Sequence, residues 1–352
     1  MSIWYATRED VARALDVRET ARNSAQIDRQ IEAASRAVEA LCHRRSFAPA
    51  AETRYFDWPG TPGTRPWRLW LDDSDLISVS GLASGGVTIP EDSYFLEPSR
   101  SGPPYSRIEL NLAASSAFGG GPTPQRAIAV TGVWGYSDTE TPAGATVAPL
   151  DASTTTLAVD GAASAALGVG SVIRLADERL TVTGRRQLDT GQTLAGALTA
   201  QAKDTALTVA DGSVFEVDET LLVDAERMLV VDVAGDTLIV RRGWDGSVLA
   251  AHDAGATIYA PRSLTVTRGA LGTTAATHTA GTSVQRWDPP GPVRQLTIAE
   301  TLSALLAETS GYSRALRAGE GSSERNRDAG ALQTQRDATF DACGRMARSR
   351  AV

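Results

Sequence analysis

The sequence is poor in the side chains from which most metal and redox sites are built. Its 352 residues include only two cysteines, three histidines and three methionines. Cys42 and Cys343 lie 301 positions apart without a CxxC pair, which excludes a disulfide framework and a cysteine-based zinc site. No cofactor or metal is therefore predicted, and any catalytic group would have to come mainly from carboxylates and arginines.

Long apolar runs and lysine are also scarce. No stretch reaches the roughly 18 apolar residues that a membrane helix needs, and the polar, charged start predicts no signal peptide and hence synthesis in the cytoplasm. Lys203 is the only lysine among 34 basic residues. Residues 148–288 carry 11 basic and 17 acidic side chains, and only 291–352 have a basic excess. Because no broad basic face is present, sequence-specific DNA binding is not expected.

Helical periodicity begins near the N-terminus. Thr7 and Asp10 form a capping-box pattern at the start of a short first helix. A second helix is predicted over residues 20–44, with charged residues on its other side. Its apolar core stripe consists of Ile27, Ile31, Ala34, Val38, Leu41 and Cys42.

From Tyr55 to Gly135 the hydrophobic period changes to two. Short segments that alternate apolar and polar residues are separated by Gly, Pro, Ser and Asp, which predicts a small antiparallel sheet. The segments are 54–58, 67–71, 76–82, 86–89, 93–97, 107–112 and 127–135. The four tryptophans in them are interpreted as the apolar core of this sheet rather than as a ligand platform. They are Trp58, Trp67, Trp70 and Trp134.

Residues 137–156 have the composition of a linker, and a region with an internal repeat follows. LIVRRGWDGSVLAAHDAGATI (238–258) aligns without gaps with LTVTRGALGTTAATHTAGTSV (264–284). Arg242, Gly243, Gly246 and His252 match Arg268, Gly269, Gly272 and His278. A weaker match between 157–182 and 207–231 aligns Glu178-Arg179 with Glu226-Arg227. Residues 148–288 are therefore predicted to form small all-β modules.

The C-terminal part combines a helix with a polar tail. A helix is predicted over residues 293–310, with one apolar face. That face consists of Leu296, Ala299, Leu302, Leu305 and Leu306. Residues 317–330 are polar and rich in Gly and Ser, so we expect them to be mobile in the isolated chain. A last helix over 331–347 would be carried by Leu332, Phe340, Cys343 and Met346.

The three histidines do not form a convincing chemical site. His252 and His278 occupy equivalent repeat positions and could be paired metal ligands, but neither has a second ligand at a suitable spacing. Loop histidines bonded to nearby backbone are the better interpretation. Cys42 and His43 are neighbours on a helix whose side chains point about 100° apart, which argues against nucleophilic catalysis.

Two loop motifs are interpreted as turns. Asp72, Asp73 and Asp75 could bind a hard cation or act as acid and base, but an acidic turn between strands is commoner. GGGP (119–122) lacks the Lys-Ser/Thr of a phosphate-binding loop. No catalytic or metal constellation is found, so we predict a protein that is not an enzyme.

Four segments together resemble the head-to-tail connector (adaptor) proteins of long-tailed bacteriophages. They are YATREDVARALD, IDRQIEAASRAVEALCHRRSF followed by RYFDW, AVTGVWGYSDTETPAG, and PPGPVRQLTIAETLSALLAE. The resemblance covers about 1–147 and 289–347 and implies an α+β fold, in which 1–147 form a helical and antiparallel β core that a helix in 289–316 completes. Residues 148–288 depart from the compact family pattern and look like β modules that recur in phage virion proteins. Residues 317–352 would be a mobile linker and a C-terminal helical tail.

The resemblance implies a structural virion protein of the phage neck, made in the host cytoplasm. Such adaptors form a ring, commonly of twelve copies, beneath the portal protein, extend the DNA channel and receive a stopper or tail terminator protein. Duplex DNA would pass without sequence-specific binding, so we expect an acidic or neutral lumen, and no membrane is involved.

The C-terminal tail is our candidate for docking on the portal, with its arginines paired to acidic portal side chains. The candidate residues are Arg317, Arg325, Arg327, Leu332, Arg336, Phe340 and Met346. In the alternative, the last helix packs on the protein's own helices at 20–44 and 293–310.

Two other functions remain open. The β modules could make this a glycan- or receptor-binding tail accessory protein, or the chain could be an undetected hydrolase. The helical ends favour the adaptor, because a purely β recognition protein has no need of them. If the inserted modules are peripheral, deletion of 150–286 should leave a soluble protein that still docks.

Overall fold

The computed structural model describes residues 3–15, 21–60, 65–312 and 321–345. Within these ranges the chain combines helices with antiparallel sheets, so it belongs to the α+β class that the sequence predicts. The helices are α1 (Arg8–Leu15), α2 (Ala21–Leu41), α3 (Gly161–Ala166), α4 (Gly291–Tyr312) and α5 (Gly321–Cys343). None of these described helices is long and apolar enough to span a membrane.

The first helix begins at the predicted capping box. The backbone N–H of Asp10 donates to Thr7 Oγ1 at 3.1 Å, and the backbone N–H of Thr7 donates to Asp10 Oδ2 at 3.0 Å. Each residue thus satisfies a donor that the helix itself leaves without an acceptor. The predicted start of α1 is confirmed.

The predicted stripe of α2 faces the other helices. Its members Ile27, Ile31 and Val38 are buried, and Leu41 is half-buried. The N-terminal half of the stripe packs with Val11 of α1 and Leu305 of α4. The C-terminal half packs with Tyr5 and with Leu296 of α4. The two ends of the chain therefore build one helical layer.

One position of the predicted α4 face is wrong. Leu296 and Leu305 are buried, whereas Leu306 is 60% exposed. Successive helical residues point about 100° apart, so Leu305 and Leu306 cannot both face α2.

The strands of residues 50–134 form two sheets rather than the single sheet expected. One has the order β1 (Ala50–Phe56), β7 (Ile128–Trp134), β3 (Leu76–Ser84), β4 (Val87–Thr88), and the other has the order β2 (Arg68–Trp70), β6 (Arg107–Leu110), β5 (Tyr94–Glu97). One apolar cluster joins them, with Leu69 and Ile108 from the smaller sheet and Leu82 and Ile128 from the larger. Alternation marks the inward face of a strand, but it does not say which sheet the strand joins.

Three of the four tryptophans belong to this cluster, as predicted. Trp134 is fully buried, and Trp58 and Trp67 are partly buried against the cluster. Trp70 differs, because the guanidinium groups of Arg68 and Arg107 lie 5.7 Å and 5.2 Å from its ring centroid. It is braced by cation–π contacts.

The remaining strands form one ten-stranded antiparallel sheet. Its order is β12 (Ala206–Thr208), β15 (Thr237–Arg241), β14 (Glu226–Ala234), β13 (Thr220–Val223), β16 (Thr257–Thr267), β11 (Glu178–Thr193), β10 (Val172–Leu175), β17 (Ser283–Trp287), β8 (Glu140–Ala145). β9 (Thr156–Ala158) also pairs with β16. The sheet begins at Glu140, inside the stretch whose composition resembles a linker.

The ten-stranded sheet consists of two similar modules, one nested in the other. The inner module comprises residues 194–260, and its core lies entirely within that range. The outer module comprises residues 140–184 and 263–287, with a core drawn from both segments. The long strands β11 and β16 pass from one module into the other. The inner module therefore occupies the end of a hairpin of the outer one.

The outer module shares its core with the helices. Val172 of β10, Leu271 and Trp287 of β17 lie in the same apolar cluster as Tyr5 and Leu296. In addition, the backbone N–H of Arg8 donates to the carbonyl oxygen of Val169 at 3.0 Å. The outer module is therefore not peripheral, although all of 148–288 was expected to be. Of the two modules, only the inner one adds no residue to the apolar cluster that contains Tyr5 and Leu296.

Candidate functional site

The candidate docking helix α5 lies against α4, in the arrangement that the sequence analysis treats as the alternative. Leu332 is partly buried in the cluster that contains Val38 and Leu296, and Cys343 is buried there. The Phe340 ring makes an edge contact with His43, with ring centroids 6.0 Å apart. The apolar face expected to await a partner is therefore covered by the chain itself.

Two ion pairs fix the register of α5 and the residues that follow it. Arg336 makes a bidentate pair with Glu300 of α4, with an Nη2–Oε2 distance of 2.9 Å. Beyond the helix, an Nη1 atom of Arg345 lies 3.7 Å from Asp75. The backbone N–H of Arg345 donates to the carbonyl oxygen of Cys42 at 2.9 Å. The C-terminal half of α5 and the residues that follow it are thus both tied to the rest of the chain.

Four of the seven candidate docking residues lie outside the description of side chains. Arg317 and Met346 lie outside the described residues, and of Arg325 and Arg327 only the helical backbone of α5 is described. That backbone begins at Gly321, so residues 321–330, which we expected to be mobile, are helical. Their polar composition is compatible with a helix whose outer side contacts solvent.

The two loop motifs are structural. Asp75 is 5% exposed and pairs with Arg44, whose Nη1 lies 2.5 Å from its carboxylate. In the 119–122 motif, Gly121 has a φ of +56° and lies against Gly85, whose backbone would be 2.8 Å from a Cβ placed on Gly121. Glycine is required there by close backbone approach.

The inner module contains a buried carboxylate clasp, defined here as Glu226 with Arg242 and His252. Arg242 donates from Nε and Nη2 to the two oxygens of Glu226, each at 2.8 Å. Nε2 of His252 lies 2.9 Å from Oε2 of the same carboxylate. The backbone N–H groups of Gly243 and Ala250 also donate to it, at 2.8 Å and 3.0 Å. One carboxylate thus joins β14 to the turn and loop that follow β15.

The outer module contains the same arrangement, the outer clasp, formed by Glu178 with Arg268 and His278. Arg268 donates to Glu178 at 2.7 Å and 2.8 Å, and Nε2 of His278 lies 2.8 Å from it. The backbone N–H groups of Gly269 and Ala276 donate as well, each at 3.0 Å. Both repeats detected in the sequence therefore contribute to each clasp. The weaker repeat supplies the glutamate, and the stronger repeat supplies the arginine and the histidine that bind it.

The histidines differ from our interpretation in their partner. We expected each ring to bond to nearby backbone, but both bind a buried carboxylate, and Nδ1 of His252 also lies 2.7 Å from Asp224. The alignment of Glu178 with Glu226 was the one sequence signal that could have identified these carboxylates as the partners of the histidines. Spacing alone did not connect them to histidines 26 and 100 positions away.

Both clasps hold an ionised glutamate. Burial favours the neutral acid, but hydrogen bonds from Arg242, the Ala250 amide, His252 and the Gly243 amide outweigh it and lower the pKa of Glu226 to about 2. The equivalent donors lower the pKa of Glu178 to about 2. All acceptor positions are occupied and no nucleophile is in contact, so the clasps are suited to holding loops rather than to proton transfer. Within the described ranges, no group of three or more ligating side chains could hold a metal ion.

A cavity of about 440 Å³ lies where the N-terminal segment meets both modules. Its lining includes Trp4 and Arg185 together with Trp244 and Asp218 of the inner module. Several charged groups in the wall are paired with one another, as in Arg294 with Asp10 at 2.6 Å. The cavity therefore offers aromatic faces and paired charges but no concentrated charge of one sign.

Comparisons with protein-family models, characterised proteins and solved structures found no match to this chain.

Proposed function

We propose that the protein is a structural component of the phage neck, a head-to-tail adaptor that forms a ring beneath the portal protein. One observation carries the proposal. The two sequence segments that resemble adaptors, 1–147 and 289–347, are separated by 141 residues yet share one helical layer and one apolar cluster. That cluster contains Tyr5 and Phe47 from the first segment and Leu296 and Cys343 from the second. An adaptor core interrupted by an insertion has this organisation.

The surface charge supports passage of DNA without tight binding. Several arginines in the described part of the chain are paired with carboxylates, as in Arg8 with Asp28, Arg174 with Glu140 and Arg286 with Asp288. A paired guanidinium releases fewer counterions when it meets phosphate, so sliding DNA would be held weakly. We therefore retain an acidic or neutral channel as part of the proposal.

Two routes are open for the docking of α5 on the portal. Leu332 is packed in the chain's own apolar cluster, Arg336 binds Glu300 of α4, and Phe340 contacts His43. A portal groove could therefore use these three residues only if α5 left its place. Otherwise the portal would contact the exposed side of the docked helix, where Gln335 and Asp341 lie. The two routes predict different sensitive residues.

The test is to mix the full-length protein with portal from the same genome and to examine both by electron microscopy and analytical ultracentrifugation. We expect a ring that stacks on the portal. Asp341→Arg should weaken binding if the exposed side of α5 docks, and Arg336→Ala should strengthen it if α5 has to leave Glu300 first. A monomer that shows no interaction with portal would overturn the proposal.

A second candidate function rests on the cavity. Trp4 and Trp244 line a space large enough for one or two sugar rings, and this favours a glycan- or receptor-binding accessory protein over a hydrolase. Titration with host cell-wall oligosaccharides, monitored by tryptophan fluorescence, tests it. Loss of the signal in Trp244→Ala together with the absence of portal binding would favour this alternative.

A further inference from the structure

The only two cysteines of the chain, 301 positions apart, meet in the fold. Cys42 follows the last residue of α2 and is fully buried, and Cys343 is the last residue of α5 and is 4% exposed. Both belong to the apolar cluster that joins the two ends of the chain. Sequence spacing excluded a disulfide framework, but it could not show this pairing.

Polar contacts hold the two chain segments together at the cysteines. The carbonyl oxygen of Cys42 accepts a hydrogen bond from the Arg345 backbone at 2.9 Å, and the carbonyl oxygen of Cys343 accepts one from Nε of Arg44. The Arg44 guanidinium lies 4.5 Å from the ring centroid of Tyr136, which itself hydrogen-bonds to the Cys343 side chain. Each segment is thus tied to the other within two residues of its cysteine.

We propose that Cys42 and Cys343 are a redox-active thiol pair whose oxidation to a disulfide fastens the C-terminal helix α5 to the end of α2. This proposal concerns the chain itself and does not depend on the neck function. Its oxidant is a small disulfide of the glutathione class.

The reaction balances as two thiol–disulfide exchanges. The thiolate of one cysteine attacks a sulfur of oxidised glutathione, forms a mixed disulfide and releases one glutathione thiolate. The thiolate of the second cysteine then attacks the protein sulfur of that mixed disulfide, forms the Cys42–Cys343 bond and releases the second glutathione. The protein loses two electrons and two protons, and oxidised glutathione becomes two reduced glutathiones.

The position of α5 controls the rate of this reaction. Burial, and then the neighbouring Cys343, raise the pKa of Cys42 to about 11, and burial raises the pKa of Cys343. At pH 8 a thiol with that pKa is ionised in only about one molecule in a thousand. With α5 docked the pair is therefore slow to react, and oxidation requires that α5 open briefly and then return.

The test uses the full-length protein at pH 8 with increasing ratios of oxidised to reduced glutathione. Samples are alkylated, unfolded and separated without reductant, and the linked peptides are identified by mass spectrometry. We expect an intrachain Cys42–Cys343 bond that migrates faster than the reduced chain, because it closes a loop of about 300 residues. Cys42→Ser and Cys343→Ser should each give only the mixed disulfide with glutathione.

Urea-unfolded protein is the control for proximity, since an unfolded chain with such a long loop should form the bond only weakly. A second readout is amide exchange in 331–343, which should slow in the oxidised protein and be unchanged in Cys343→Ser given the same treatment. The proposal is overturned if native protein forms only mixed disulfides or links between two chains. It is also overturned if the intrachain bond forms no better in native than in unfolded protein.

Discussion

Replacement of the inner clasp carboxylate should loosen the inner module and leave the outer module unaffected. Glu226→Gln keeps the side-chain volume and removes the negative charge that faces Arg242 and His252. The Arg242 side chain is 1% exposed, so its guanidinium would remain buried without a counter-charge. Loss of one partner of a buried ion pair costs about 3–5 kcal/mol, which corresponds to roughly two to three and a half powers of ten in a local opening equilibrium.

The assay is native-state hydrogen exchange followed by mass spectrometry, because it reports the stability of each module separately. Amides of β13 to β15 should lose protection by that factor, whereas those of β10 and β17 should not change. Glu178→Gln should show the reverse pattern. The matched control is Asp224→Asn, which removes a carboxylate bonded to the other ring nitrogen of His252 but 65% exposed, and which should cost under about 1 kcal/mol.

The reasoning is refuted if Glu226→Gln changes protection by less than tenfold, or by no more than Asp224→Asn does. It is also refuted if both modules lose protection together, because the clasps would then act on the whole sheet rather than on their own loops.

Three further predictions follow from the same geometry. The clasp glutamates have pKa values of about 2, below the roughly 4.3 of glutamate in an unfolded chain. The stability that they contribute is therefore complete above about pH 4.5 and is lost as the pH falls towards 2. Urea midpoints measured from pH 6 to 2.5 test this, and a flat profile contradicts it. Gly272→Ala should lower the thermal unfolding temperature more than Gly281→Ala does. Both glycines have φ near +80°, but only at Gly272 would an added Cβ lie 1.8 Å from a backbone oxygen of β1. An equal loss of stability in the two variants would exclude that contact. Replacement of 187–262 by a two-residue turn should leave a protein that is folded by circular dichroism, because it removes the whole inner module and also both members of the buried pair Arg262–Glu219, which lie 2.8 Å apart. Deletion of 150–286 should not leave a folded protein, and folding of that larger deletion would show that the outer module is dispensable.

Local features of the fold could be predicted well from the sequence. The capping box at Thr7, the stripe of α2 and the strands of residues 50–134 depend on neighbours a few positions apart, which periodicity and turn residues reveal. The partition of those strands into two sheets could not be predicted. It depends on which buried faces meet, and this information lies in side-chain shape over long sequence separations.

The clasps are a second example of long-range contacts that the sequence could not predict. The repeats marked every participant, since Glu178, Glu226 and the two His-x-Ala-Gly loops were aligned from sequence alone. Only the pairing was missing, because each glutamate binds a loop of its own module that follows later in the chain, and in the outer module Arg268 lies 90 positions after Glu178. For the C-terminal helix, the sequence left two possibilities open, docking on the portal or packing on the protein's own helices, because it does not show that α2 and α4 lie side by side and offer α5 a surface.

The nesting of one module in the other sets an order of folding during synthesis. All core residues of the inner module are contiguous between 194 and 260, so this module can fold as soon as that stretch has left the ribosome. The outer module must wait for β17, which ends at Trp287, and until then its first half has apolar faces without partners. Once the inner module has folded, it acts as a short, rigid connection that brings β11 and β16 together and lowers the entropy cost of closing the outer core. A defect in the inner clasp should therefore lower the yield of folded chains during synthesis, in addition to loosening the inner module of the finished protein.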